Sequence, residues 1–245
     1  MTLTPHRTAA SAVACGWQSF ACRASLAALL LLVLAAVSAT LADLPLARVF
    51  QPQKEHQKFY PALGRLTKVV NLCEAFSYGG TVLVLVVLVG RLDPARSRAM
   101  PRLLAGAFGG GLAANALKLV LERERPKAAD LQGYVGATFG DWLPFLNDSF
   151  GNHHFQSFPS AHTATAFGLA TVLAGRYPRG GPVFFLLAAV AGFQRIQVMD
   201  HFASDVLVGA ALGLACGAAC VYQRLLGGLF DRIETVAIPT PDRVD

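Results

Sequence analysis

Six apolar runs, each close to the length that crosses a bilayer, constrain this chain more than anything else in it. They extend from about Ala24 to Ala42, Val69 to Gly90, Leu103 to Leu121, Ser160 to Gly175, Val183 to Met199 and Phe202 to Leu225. A helix needs roughly 20 apolar residues to span the hydrocarbon core, and only a segment that pairs its own backbone groups is tolerated there. The composition agrees: 15% of the residues are charged, against about 25% in a soluble domain. The expected fold is all-α, an integral membrane bundle of six transmembrane helices with a long outer loop between helices three and four. Residues 1–23 read as a cytoplasmic tail, 24–225 as the helical domain and 226–245 as a second cytoplasmic tail.

The first run has a rival reading. Arg7 and Arg23 precede it and Thr40-Leu41-Ala42 resembles a cleavage site, as in a signal peptide. The charged region before it is long for a signal peptide, which favours a retained helix. Arg91, Arg96, Arg98 and Arg102 crowd the short loop after the second run. Short basic loops stay in the cytoplasm, so both termini are placed there. The net charge of +6 lies mostly between the apolar runs. With no basic stripe and no binding motif, nucleic acid is excluded as a partner. The five cysteines form no CxxC pair or metal spacing, and no structural disulfide is expected. Gly209, Gly213 and Gly217, like Gly106 and Gly110, recur every four residues. Such stripes let helix backbones approach closely in lipid.

Three motifs sit at ends of these runs, all on the outer side in this orientation. Lys118 and Arg125 are seven residues apart, two helical turns or ~10 Å along one face. Pro126 turns Arg125 away from helical geometry. Taken alone, this pair equally suits a cationic helix end anchored at headgroups. Ser160 follows Pro159 and suits a helix N-cap, which leaves the amides of Ala161 and His162 pointing outward as an anion site. Taken alone, that is ordinary helix punctuation. His201 and Asp205 are four apart, hence expected on one helical face. There the carboxylate would take the proton of Nδ1 and leave Nε2 free to attack. Arg195, six residues earlier, can lean over the same point with its planar fork. An ionisable pair at a membrane helix end is functional more often than structural.

The set K-x6-RP, PSAH and QR-x5-H-x3-D resembles the motifs of the phosphatidic acid phosphatase type-two family, which includes the vanadium haloperoxidases. Their pattern is K-x6-RP, PSGH and SR-x5-H-x3-D. The resemblance covers Lys118 to Asp205. It implies that His201 is the nucleophile of a phosphohistidine intermediate, that Asp205 orients it, and that His162 is the general acid and then the base. It assigns phosphate binding to Lys118, Arg125, Arg195, Ser160 and the Ala161 amide, and requires no metal or other cofactor. Two positions depart: Ala161 replaces glycine and Gln194 replaces serine. The first leaves the amide contact possible; the second puts a side-chain contact in doubt.

The expectation is therefore a hydrolase that removes phosphate from a membrane lipid phosphate or pyrophosphate, in a bacterial inner membrane with its site facing the periplasm. Phosphatidic acid, phosphatidylglycerophosphate, a polyprenyl pyrophosphate and a lipid A phosphate all fit. A lipid phosphotransferase would carry the same motifs, and a transporter or binding protein could use the cations without hydrolysis. The second histidine beside an oriented one argues for chemistry. The bilayer and the lipid phosphate are the expected partners, and the oligomeric state is not legible. His153 and His154 fit no common zinc spacing. Glu74, with Asn71, reads as a hydrogen-bonding group between helices. The aromatic-rich loop from Glu122 to Phe158 suggests a short surface helix or lid.

Overall fold

The structure is a computed structural model that describes residues 6–51, 70–93, 99–146 and 152–236, together with Lys68. Arg96 and Arg98 of the basic loop, Phe150 of the aromatic loop and the last nine residues of the expected C-terminal tail, 237–245, lie outside the described residues. The helices are α1 (His6–Leu41), α2 (Asp43–Phe50), α3 (Gly79–Leu92), α4 (Met100–Lys118), α5 (Ala161–Arg176), α6 (Gly181–Gln197), α7 (Ala203–Val221) and α8 (Gly228–Val236).

Local chemistry sets several of these boundaries. Pro101 and Pro182 stand in the first turns of α4 and α6, where a missing N–H costs nothing. Ser160 caps α5, its hydroxyl accepting from the Thr163 N–H at 3.4 Å. The carboxylate of Asp205, in the first turn of α7, reaches back to the Phe202 N–H at 2.8 Å.

The second apolar run departs from the expected straight span. It is two helices, Val70–Phe76 and Gly79–Leu92, bent by 68°. Both the amide and the hydroxyl of Ser77 bond to the Glu74 carbonyl, which diverts the backbone from helical pairing. Gly79 and Gly80 follow directly and resist re-entry least at a sharp kink.

The outer loop also differs from expectation. Besides three short 3-10 helices (Val135–Thr138, Pro144–Leu146 and His153–Phe155), it carries an unexpected strand, β1 (Leu121–Arg123), paired antiparallel with β2 (Phe139–Trp142). The fold is mostly helical, as expected, with a small two-stranded sheet at one end. Beyond α7, the stretch expected as tail begins with α8. Arg102 at the start of α4 holds it through Asp231 at 2.5 Å and Glu234 at 2.8 Å.

Helices α4, α5 and α7 form the centre, and their backbones touch. A Cβ on Gly168 would lie 2.0 Å from the Gly106 carbonyl oxygen, and one on Gly213 would lie 2.3 Å from that of Ala164. The glycine stripes therefore serve close packing, as their spacing suggests. Helix α1 lies along α7, with Ala21, Ala24 and Ala28 against Ala211, Leu214 and Ala218. Helix α2 then turns over the end that carries the motif residues, where Ala47 and Phe50 pack on Leu131, Met199 and Phe202. Among the described residues, Ser19–Leu41 and Ala203–Val221 are long and apolar enough to cross a membrane, and the bent pair makes a third if counted as one span.

Candidate active site

Every motif residue lies where an element ends. Lys118 is the last residue of α4, Arg125 follows β1, and Ser160, Ala161 and His162 open α5. Arg195 is in the last turn of α6, His201 in the turn that follows, and Asp205 in the first turn of α7. The α6–α7 turn is tight: the amides of Asp200 and His201 both donate to the Arg195 carbonyl, at 3.1 and 3.2 Å. Met199 takes φ of 57° to make this possible. The arginine and the histidine are thereby fixed relative to each other. The charges of Lys118, Arg125 and Arg195 all act on both His201 and His162, so the three motifs converge on one centre.

His201 is buried, and its Nδ1 is 2.6 Å from the carbonyl oxygen of Ser157. A carbonyl can only accept, so Nδ1 carries the proton and Nε2 keeps its lone pair. This corrects the expected role of Asp205, whose nearer oxygen is 3.9 Å from Nδ1. The i,i+4 argument assumed one helix, but α7 starts at Ala203, so His201 lies outside it. Asp205 instead accepts from the Ser157 hydroxyl at 2.6 Å. It holds the residue that holds the histidine.

Behind Asp205 stands Arg123, which is 0% exposed. Its Nη1 donates to Asp205 at 2.5 Å and its Nη2 to Asp43 at 2.7 Å. Its Nε reaches Thr138 Oγ1 at 3.2 Å. The guanidinium carbon lies 4.2 Å from the Phe202 ring centroid and 4.6 Å from that of Phe139. Asp43 also accepts from the Ser204 amide at 2.9 Å, so the first residue of α2 helps to cap α7. A buried charge is tolerable when paired and hydrogen-bonded in this way.

The cations have partners of their own. Lys118 Nζ donates to the Gln156 carbonyl at 2.9 Å. Arg125 pairs with Asp200 at 3.1 Å, and Lys127 with the same carboxylate at 2.5 Å. Arg195 bridges Glu74 and Asp200. The Nε atoms of Arg125 and Arg195 are buried without a hydrogen-bond partner. Gln194 does not point at the site; its amide donates to Asn71 and Glu74, both at 3.2 Å. The doubt over that position is resolved: Gln194 ties α6 to the bent second segment. Ser160 is 0% exposed and its hydroxyl caps Thr163, so its visible work is to shape the helix start beside the Ala161 and His162 amides. The His162 ring lies 5.4 Å from that of Tyr78, at the bend.

Two groups in the α6–α7 turn have displaced ionisation. Burial holds the His201 pKa well below the usual 6.5, aided by the charges of Lys118, Arg125 and Arg195. Asp200 is lowered to about 2: burial raises it, but the Lys127 hydrogen bond and the Arg195, Arg125 and Lys127 charges outweigh that. His201 is thus a neutral imidazole and Asp200 a carboxylate at neutral pH.

Reasoning from sequence found the motif residues and missed Asp43, Arg123, Ser157 and Asp200. Arg123 had a signal, as a second arginine two positions before Arg125. Ser157 had none, because its contact with His201 is a backbone carbonyl. Among the described residues, no group of three metal-ligating side chains is assembled.

The fold and these motif positions define a class. The family model of the PAP2 superfamily matches residues 100–226, and the chain belongs to that family. It is 34% identical over 117 residues to the lipid A 1-phosphatase of Rhizobium etli, covering 46% of each chain. It is 32% identical over 136 residues to the decaprenylphosphoryl-5-phosphoribose phosphatase of Mycobacterium tuberculosis, covering 56% of this chain and 67% of that one. The match thus spans about half the length of these lipid A phosphatases. The crystal structure of Aquifex aeolicus LpxE superposes with a TM-score of 0.51 at 26% identity, over 71% of this chain and 92% of that one.

Proposed function

We propose that this protein removes phosphate from a membrane lipid phosphate or pyrophosphate through a phosphohistidine at His201, without a metal ion. The observation that carries the reading is the bond from His201 Nδ1 to the Ser157 carbonyl. It leaves the Nε2 lone pair free beside three cations. In the first step Nε2 attacks phosphorus, the bond to the leaving oxygen breaks, and His162 gives that oxygen its proton. In the second, His162 takes a proton from water as the water oxygen attacks phosphorus, the P–N bond breaks and His201 is restored. Lys118, Arg125, Arg195 and the Ala161 amide stabilise charge on the phosphoryl oxygens.

Six spans, with the site at the outer, periplasmic headgroup level of a bacterial inner membrane, complete the proposal. Leu26, Leu30, Val33 and Val37 of α1, Val84 and Leu88 of α3, and Val183 and Leu186 of α6 are all exposed, a surface suited to lipid rather than water. Helices α5 and α6, of 16 and 17 residues, are shorter than a full span at ~1.5 Å per residue and cross with the aid of their flanking turns. Among the substrates considered, a phosphate on a glycolipid such as lipid A is favoured, because both groups of relatives act on lipids that carry a sugar.

The test is phosphate release by purified protein across a panel of lipid A, phosphatidic acid, phosphatidylglycerophosphate and polyprenyl pyrophosphate. Release from at least one, lost in His201→Ala with folding intact, is expected. No release from the whole panel would sink the enzyme reading, and a turning-over His201→Ala would remove the nucleophile.

A further inference from the structure

In this site the two arginines assigned to phosphate are not free in space. Glu74, Arg195, Asp200 and Arg125 form a chain of alternating charge. Arg195 Nη1 meets Glu74, Arg195 Nη2 meets one oxygen of Asp200, and the other oxygen meets Arg125 Nη1 at 3.1 Å. Each end of the chain comes from a different part of the fold, Glu74 from the bent second segment and Arg125 from the outer loop. What remains of the two guanidiniums is informative. Both Nε–H donors are buried and have no partner. A buried donor left unpaired costs about 1–3 kcal/mol, so two in one place argue for an acceptor that arrives later. The carboxylates take Nη positions and leave both Nε–H donors unpaired, donors that suit a phosphoryl oxygen.

We propose that Asp200 and Glu74 are positioning residues that brace Arg195 and Arg125, so that their Nε–H edges are set for the phosphoryl group before substrate binds. The brace rests on the phosphatase reading above, because it assumes that both arginines hold phosphate. Preorganised donors stabilise a transition state without reorganisation at the moment of reaction, whereas unbraced long side chains must be ordered by the substrate itself.

The sign of one measurement separates the brace from its opposite. If Asp200 merely competed with phosphate, or only lowered the positive charge, its neutralisation would tighten anion binding. A brace predicts loosening. Orthovanadate, a phosphate mimic, is titrated calorimetrically into the purified full chain in detergent, which needs no turnover. Asp200→Asn is expected to bind orthovanadate at least about tenfold more weakly, the equivalent of one charge-assisted hydrogen bond, with Asp200→Glu recovering part of the loss. Glu74→Gln, which reaches Arg195 and Gln194 but not Arg125, is expected to weaken binding less and to lower kcat more than it raises KM. Equal or tighter orthovanadate binding by Asp200→Asn, with wild-type turnover intact, overturns the brace and leaves the phosphatase reading standing. A wild type that neither binds orthovanadate nor releases phosphate overturns both. Should Asp200→Asn fail to fold, the Glu74→Gln titration decides: unchanged or tighter binding there overturns the proposal.

Discussion

At His201 a single hydrogen bond decides what the side chain can do. The Ser157 carbonyl holds Nδ1–H, and burial with three nearby cations keeps the ring neutral. Two consequences can be measured. The His201 ring carbon resonances, assigned by comparison with His201→Gln, should not titrate between about pH 6 and 8; a midpoint near the ordinary 6.5 would contradict the site. Stability follows from the same shift. The unfolded chain takes up a proton at His201 below about 6.5 and the folded chain does not, so stability falls as pH drops from there towards the lowered folded value. Asp200 adds a second, more acid window. Its stabilisation is full above the ordinary 3.8 and disappears as pH falls through that value to about 2. Much of this residue-level picture was legible in the chain: Lys118, Arg125, His162, Arg195 and His201 were found by motif spacing and do converge. What was hidden is what side-chain patterns cannot carry. The partner of His201 is a main-chain oxygen, and the shift of Asp205 to Ser157 follows from where α7 starts, which a four-residue spacing does not reveal.

Helix ends and strand edges, more than helix interiors, build this site, and two elements make that testable. Strand β1 delivers Arg123 between Asp43 and Asp205. Arg123→Met would leave two buried carboxylates without their cation, and breaking such a cluster costs about 3–5 kcal/mol. The variant should unfold at markedly lower denaturant in detergent, and a midpoint equal to wild type would show that the cluster is not structural. The α5–α7 contact is the second. At Gly213 an added Cβ meets the Ala164 carbonyl at 2.3 Å and the Gly168 nitrogen at 2.8 Å, both backbone, so neither can rotate away. Gly213→Ala should lower the melting temperature by several degrees, as a loss of about 1 kcal/mol or more does. Elements differed in how plainly the sequence announced them. The glycine stripes of α4 and α7 have one use, and were read correctly. The bend at Ser77-Tyr78 was masked because the run around it is apolar enough on average to read as one span, and β1 because three residues are too few to show a period.

The whole molecule places its polar chemistry at one end of an apolar bundle, with the β1–β2 hairpin and α2 above it. Single cysteines placed between Glu122 and Phe158 should react with a membrane-impermeant maleimide in intact spheroplasts. Labelling only after lysis would reverse the proposed orientation. That same end also carries a feature that bears on how the chain is made. Asp43, the first residue of α2, is complete only when Arg123 and Ser204 have reached it. Synthesis runs from the N-terminus, so α2 emerges with an acidic residue whose partners Arg123 and Ser204 are made 80 and 161 residues later. The latch on α2 is therefore closed by segments made well after it, and a chain stalled before Ser204 would lack the amide from which Asp43 accepts.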